Sequence, residues 1–337
     1  MLKKKVYFSP YITILMSFFI VILIGGGILS LPFVTVSGKG TNLIEGIFTA
    51  TSAVCVTGLT VNDVSTTYNL IGKTIILVLI QLGGIGLITF SSLLILLISK
   101  EISYYTKKVV QEDINAETVF NIQKYIKKVI ITVLFIELIG AAVLFFEFIK
   151  KFKFLKAIYY SVFHSVSAFC NAGFSLFSDN LESFKGSMII NTVIPILIIV
   201  GGLGFSTIIN VYKYLRKKDK RITTTSKITL KVTLGFVIFG AFFIFIFEHA
   251  NIKTIGNYTF MEKIGAAFFQ SVTTRTAGFN TMSLAGMKEI TVLLFIFFMF
   301  IGASPGSTGG GVKTTTFGLI VLGVITIIKN KEYIEYN

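Results

Sequence analysis

Cysteine and charge are both scarce in this sequence. Only two of the 337 residues are cysteines, Cys55 and Cys170, which is too few for a disulfide framework or a four-ligand zinc site. We interpret both as small buried residues. Charged residues make up 14% of the chain and hydrophobic residues 53%, and the mean hydropathy is +0.82. With recurring apolar runs of about 20 residues, this composition indicates a polytopic membrane protein.

Acidic residues are scarcer than basic ones, 16 against 31, which gives a net charge of +15. An excess of this size also occurs in nucleic-acid-binding proteins. Here the positive charges lie in short loops between apolar stretches, as the orientation rule for membrane proteins predicts. We therefore expect a membrane lipid environment and no nucleic-acid partner.

Three stretches of the chain resemble one another. Each is a short Ser/Thr/Ala/Phe segment that ends in a glycine and is followed by a long apolar run, with the glycines roughly 110 residues apart. The three glycines are Gly58, Gly173 and Gly278. The repeat predicts an all-α membrane protein with three membrane–pore–membrane units around a pseudo-symmetric pore.

The charged loops divide these units along the chain. Lys3, Lys4 and Lys5 precede the first span and place the N-terminus in the cytoplasm, and the C-terminal tail is expected there too. The predicted organisation is 1–100 as repeat 1, 101–123 as a cytoplasmic loop, 124–215 as repeat 2, 216–231 as a basic cytoplasmic loop, 232–329 as repeat 3 and 330–337 as a cytoplasmic tail.

The segments before the three glycines are too short to cross a bilayer. They cover 43–56, 157–172 and 262–277. One such segment fits a re-entrant helix and an outer surface helix equally well, but three in the same context favour re-entry. We also predict that the span 188–214 is broken at Pro195 and at 201–204.

A re-entrant helix directs its partly negative C-terminal end towards the membrane centre. Irregular backbone is tolerated at that depth only when it is buried in protein or lines a wet cavity. Glycine allows successive carbonyls to turn towards one axis, where they can replace the water shell of a cation. Close helix packing is the alternative role for such glycines. The predicted cation filter is the backbone of Val56, Thr57, Gly58, Asn171, Ala172, Gly173, Thr276, Ala277 and Gly278.

Four motifs make the chain resemble a known family. They are TSAVCVTGL at 51–59, FHSVSAFCNAGF at 163–174, SVTTRTAGFN at 271–280 and GASPGSTGGGVKT at 302–314. The sequence is similar throughout to the membrane subunit of the Trk/Ktr/HKT potassium-transporter superfamily, most of all to the Ktr-type B subunit. The resemblance implies potassium uptake, with sodium as a candidate coupling ion and no bound cofactor. It also implies a homodimer with a cytoplasmic nucleotide-binding regulatory ring at the plasma membrane.

The family has four filter loops in one polypeptide, whereas this sequence contains three. We expect either a truncated reading frame, which we favour, or a second polypeptide that supplies the last unit. The alternative to a transporter is therefore a non-transporting remnant or a regulatory or assembly paralogue.

The resemblance also makes 302–316 an intramembrane gating loop. Its glycines and Pro305 prevent a regular helix, and its polar side chains suit a wet cavity. Lys313 is either part of a barrier to cations or an anchor at the inner interface. A phosphate-binding loop is excluded because Val312 separates Gly311 from the lysine. The predicted gate residues are Gly302, Ser304, Gly306, Gly309, Gly310, Gly311 and Lys313.

Two charged residues are expected at membrane depth. Arg275 lies three residues before Gly278, and we expect it behind the filter as a supporting residue, paired with a carbonyl or an acid. Glu137 is a weak site candidate, and a carboxyl group hydrogen-bonded between packed helices is the favoured alternative. The basic loop either docks a soluble partner or anionic lipid or serves as a topology signal only.

Overall fold

The structure, a computed structural model, describes residues 10–86 and 122–330. Within these ranges it is helical, and the β-structure consists of two isolated bridges, Thr35 with Tyr68 and Ile301 with Val312. The helices are α1 Pro10–Leu29, α2 Leu43–Val54, α3 Val64–Thr67, α4 Leu70–Ile85, α5 Ile122–Phe148, α6 Phe154–Phe169, α7 Met188–Gly202, α8 Phe205–Leu215, α9 Thr224–Glu248, α10 Phe260–Thr273, α11 Glu289–Phe300 and α12 Thr314–Ile328.

Polar caps set the starts of several helices. The side chain of Asn42 accepts a hydrogen bond from the first turn of α2, and Asn69 does the same for α4. At α10, Thr259 and Glu262 form a reciprocal capping box. These caps satisfy backbone donors that have no partner within the helix, so short helices can begin where the apolar runs begin.

The three short helices α2, α6 and α10 occupy the segments predicted to re-enter the membrane, and we refer to them as the pore helices. Each packs against the helix that precedes it, α1, α5 or α9. The helix that follows a pore helix packs against the next one, so α4 contacts α6 and α7 contacts α10. By length and hydropathy, α5 and α9 are long and apolar enough to cross a membrane. Buried side chains cluster around the pore helices, while the apolar side chains of the outer helices remain exposed on the protein surface.

Two helices begin inside segments assigned to loops from the sequence. α5 starts at Ile122, within 101–123, and α9 starts at Thr224, within 216–231. For α9 the reason is local, because the Thr223 side chain accepts a hydrogen bond from the Ser226 amide and caps the helix early. The part of the second predicted span beyond Gly86 lies outside the described residues.

The predicted break at Pro195 is wrong. Pro195 lies inside the continuous helix α7, where its missing amide removes one backbone hydrogen bond without ending the helix. The predicted break at 201–204 is confirmed, because a bend of 102° falls there between α7 and α8. Gly204 has a φ of 84° there, a conformation that a helix cannot continue through and that suits glycine.

Candidate ion pathway

The three glycine loops leave their pore helices with the same backbone pattern. In each loop the residue two positions before the glycine has a left-handed φ, the next residue does not, and the glycine does again. The values are 56° for Val56, 76° for Gly58, 58° for Asn171, 70° for Gly173, 64° for Thr276 and 78° for Gly278. Left-handed φ costs roughly 1–2 kcal/mol at a residue other than glycine. Its recurrence at Val56, Asn171 and Thr276 therefore points to a shared structural requirement.

The glycines themselves lie together. A Cβ atom on Gly58 would lie 2.5 Å from the carbonyl oxygen of Ala172, and one on Gly173 would lie 2.6 Å from the carbonyl oxygen of Ala277. A Cβ on Gly278 would lie 3.2 Å from the Cα of Gly173. The second loop therefore sits between the first and the third, and no side chain fits between them at these positions.

The amide groups of these loops turn back to the pore helices. Thr57 donates its backbone N–H to Ser52 over 2.8 Å, and Ala172 donates to Ser167 over 2.8 Å. Ala277 donates to Thr273 over 3.0 Å. The backbone donors of these three residues are therefore satisfied by the pore helices.

The glycine-rich segment between α11 and α12 lies against the second and third pore loops. Its backbone binds the α7–α8 bend, where Ser304 donates to Gly202 over 3.0 Å and Phe205 donates to Gly306 over 2.9 Å. The Thr308 hydroxyl lies 3.2 Å from the side-chain amide of Asn171. A Cβ on Gly309 would lie 2.8 Å from Thr276 Oγ1.

Internal hydrogen bonds give this segment its shape. The amide of Ala303 donates to Gly310 over 3.0 Å, and the Ser304 and Thr314 hydroxyls are 2.8 Å apart. Lys313 Nζ donates to the carbonyl of Gly309 over 3.1 Å. The lysine is half-buried and points back into the segment. Gly302 and Gly311 lie in close backbone contact, while a Cβ on Gly310 would meet open space.

A family model described as TrkH, cation transport protein, matches residues 4–333. The potassium/sodium uptake protein NtpJ of Enterococcus hirae is 39% identical over 99% of this chain and 74% of its own length. The Ktr system potassium uptake protein B of Bacillus subtilis is 37% identical over 98% of this chain and 73% of its own length. The chain belongs to the TrkH family of cation transport proteins. This confirms the resemblance seen in the sequence.

A solved structure supports the fold of this TrkH-family chain. The potassium transporter TrkH from Vibrio parahaemolyticus matches with a TM-score of 0.72 at 17% identity, over 99% of this chain and 66% of that one. The relatives are transport proteins, so the prediction that the chain is not an enzyme is also confirmed.

Glu137 of this TrkH-family chain is buried between α4, α5 and α6. Gln81 Nε2 donates to its carboxylate over 3.1 Å, and the thiol of Cys170 lies 3.9 Å from the other oxygen. The hydroxyl of Ser165 donates to the Glu137 backbone carbonyl over 2.6 Å. This geometry favours a hydrogen-bonded carboxyl group that joins packed helices over a site open to ions.

Arg275 is 4% exposed and lies near Gly202 of α7. Its Nε and Nη2 atoms have no hydrogen-bond partner among the described residues, and neither salt bridge formed there includes it. The expected carbonyl or acid partner is therefore not found in this part of the chain. Its role as a supporting residue stays a prediction.

From the sequence, the glycines at 201–204 were interpreted only as a break in a span, and the close packing of the repeated glycine pairs was missed. Gly83 in α4 touches Val54, the last residue of α2, and Gly84 touches Cys170, which directly follows α6. Gly201 of the equivalent pair in α7 touches Phe169, the last residue of α6. The Gly-Gly-x-Gly pattern at 83–86 and 201–204 was the available signal, since glycine permits such close approach between helices.

Proposed function

We propose that this chain takes up potassium across the plasma membrane through a filter of backbone carbonyls. The observation that carries the proposal is the contact between the loops of Gly58, Gly173 and Gly278, which share one alternating backbone conformation. Alternation of this kind turns successive carbonyls towards a common side, where they can replace the water around a cation.

The pore helices contribute to the same effect. Each ends just before its filter loop, so the partly negative C-terminal ends of α2, α6 and α10 lie beside the proposed path. Three membrane–pore–membrane units around this path are part of the proposal. It is supported by the threefold recurrence of pore helix, left-handed residue and glycine.

We propose the segment 302–316 as the gate. It lies at the end of the loops where Asn171 and Thr276 are found, and it is fixed to the α7–α8 bend by backbone hydrogen bonds. A passing cation would meet this segment next to the filter. Lys313, tied to Gly309, places a positive charge within it, which fits a barrier better than an interface anchor.

Ion coupling, assembly and orientation belong to the same proposal. We propose sodium as a coupling ion, because the similar NtpJ protein is named for both ions. A homodimer with a cytoplasmic nucleotide-binding ring is supported by the family, and the basic segment 216–231 is the proposed docking surface. We propose that both termini lie in the cytoplasm, since lysines flank the first and last apolar runs.

Growth of a potassium-uptake-deficient bacterium at low potassium tests the function. We expect the chain to restore growth and the Gly173→Asp variant to fail, because the aspartate side chain would occupy the contact with Ala277. Gly235→Ala is the control, since a Cβ there meets no atom within 4 Å. Unchanged rescue by Gly173→Asp, at equal protein level, would contradict the filter assignment.

A further inference from the structure

A polar cavity lies at the other end of the glycine loops from the proposed gate. The second loop shows the direction, because Asn171 contacts the gate segment and Gly173, two residues later, lines the cavity. The cavity has a volume of about 240 Å³. At about 30 Å³ for each water molecule, it has room for a cation with several waters. Its lining residues include Gly58, Asp63, Gly173, Ser175, Ser178 and Asn180.

Asp63 supplies the negative charge of this cavity. Its carboxylate accepts a hydrogen bond from the Ser65 amide over 2.7 Å. Partial burial would raise the pKa of Asp63, but hydrogen bonds from Ser178, Ser65 and Thr66 outweigh it and hold the pKa below its usual 3.8. The side chain is therefore ionised at neutral pH.

Asp63 forms no salt bridge in the described part of the chain, and the nearby Lys73 offsets its charge only through a longer-range attraction. The two salt bridges there join other residues, and the nearby Lys73 directs its Nζ to the backbone carbonyl of Ser65 over 2.6 Å. The hydroxyls of Ser65 and Ser178 are 2.7 Å apart beside the carboxylate. A carboxylate without a direct salt bridge and several hydroxyl and carbonyl oxygens thus line a polar cavity next to two filter glycines.

We propose that this cavity is an outer waiting site for a monovalent cation that keeps part of its water shell, with Asp63 as its counter-charge. The proposal rests on the proposed function, because the site feeds the filter between Gly58 and Gly173. A fixed negative charge in a polar recess raises the local concentration of cations, by about tenfold or more in favourable cases. The site therefore determines the apparent affinity for the ion, whereas the filter and the gate determine the maximal transport rate.

Rubidium uptake into proteoliposomes at low ionic strength tests the site. Asp63→Asn keeps a side-chain cap for the Ser65 amide and removes the charge. We expect its half-saturation concentration to rise roughly three- to tenfold with the maximal rate within about twofold, and Asp63→Glu to recover most of the loss. N-methylglucamine chloride should shrink the difference, because added salt screens exposed charges.

Glu147→Gln is the matched control, since this carboxylate is already paired with Lys150 at 2.7 Å. It should leave the half-saturation concentration unchanged. The proposal is overturned if Asp63→Asn leaves the half-saturation concentration at the wild-type value, or if it lowers only the maximal rate.

Anomalous scattering from rubidium-soaked crystals gives a second readout that needs no transport. We expect a rubidium peak in the cavity of the wild-type protein and none in that of Asp63→Asn. A cavity without a peak in the wild-type protein would refute the waiting site even if uptake is normal. A cavity peak in a protein that transports nothing would refute the proposed function and leave the site in place.

Discussion

The hydroxyl of Thr308 donates a hydrogen bond to the backbone carbonyl of Phe169 over 3.1 Å. Thr308 belongs to the glycine-rich segment of the third unit, and Phe169 is the last residue of the second pore helix. A single side chain therefore connects the proposed gate directly to the helix that supports the middle filter loop.

Removal of this bond should favour gate opening. A buried hydrogen bond of this kind contributes about 1 kcal/mol. Thr308→Val replaces the hydroxyl by a methyl group of similar size and also removes the weaker contact with Asn171, another bond between gate and loop. We expect the open state to gain about fivefold in population, seen as faster rubidium flux in proteoliposomes. Thr326→Val, which loses a hydroxyl bonded to Leu322 within α12, is the control. Equal flux in both variants would mean that the Thr308 contact does not hold the gate.

Alanine at the middle filter glycine should abolish uptake, whereas alanine at a matched glycine should not. Gly173 and Gly38 have similar φ values of 70° and 67°, so both substitutions carry the same backbone strain. Only at Gly173 would the added Cβ meet another atom within 4 Å, the Ala277 oxygen at 2.6 Å being the nearest. Rubidium flux at equal membrane protein level measures the difference. Equal loss in both variants would assign the defect to strain alone.

Neutralisation of Lys313 should increase cation flux. In Lys313→Met the positive charge beside the proposed path is lost together with the bond to Gly309. We expect faster rubidium flux than in the wild-type protein, because a cation is no longer repelled there. Lys329→Met, at the end of α12, is the control for a lysine at the helix end. Slower flux, or the same change in both variants, would favour the anchor interpretation.

The carboxylate of Glu248 is expected to be important for stability. It is buried at the end of α9 and accepts hydrogen bonds from Thr254 and Asn251 over 2.6 Å each, from the Lys288 amide over 2.9 Å and from the Thr291 hydroxyl. Glu248→Gln should lower the free energy of unfolding by about 2 kcal/mol, because donors would then face a donor. Glu262→Gln, at an exposed cap, should cost less than about 1 kcal/mol in the same detergent melting experiment. Equal losses would contradict this role.

The affinity for the ion should not change between pH 7 and pH 5. The folded-state pKa of Asp63 lies below 3.8, so the carboxylate stays charged between pH 7 and pH 5. Its negative charge is lost only as the pH falls through the folded-state pKa. Half-saturation concentrations for rubidium uptake at pH 7, 6 and 5 measure this. A rise of more than about twofold by pH 5 would show that another group controls the site.

The parts of this fold that depend on local backbone chemistry were readable from the sequence. Gly58, Gly173 and Gly278 stood out because each ends a short apolar segment, and all three have the positive φ that glycine allows. The short helices α2, α6 and α10 were located to within a few residues for the same reason, since each apolar run is bounded by loop residues.

The parts that depend on contacts between distant segments were not readable. Gly84 is in the first unit and its neighbour Cys170 in the second, and no local pattern pairs them. The attachment of the gate segment to the α7–α8 bend is equally distant in sequence. At Pro195 the local signal was misleading. Proline predicted a break, but α7 continues through it because the helix packs against α5, α6 and α10.

The contact between Gly84 and Cys170 limits which substitutions the protein tolerates at either position. A Cβ at position 84 would overlap the sulfur of Cys170, so an alanine there becomes acceptable only when position 170 shrinks as well. We expect a defective Gly84→Ala allele to be restored by Cys170→Gly. Substitutions at positions 84 and 170 should therefore be correlated during evolution, although the two positions belong to different units.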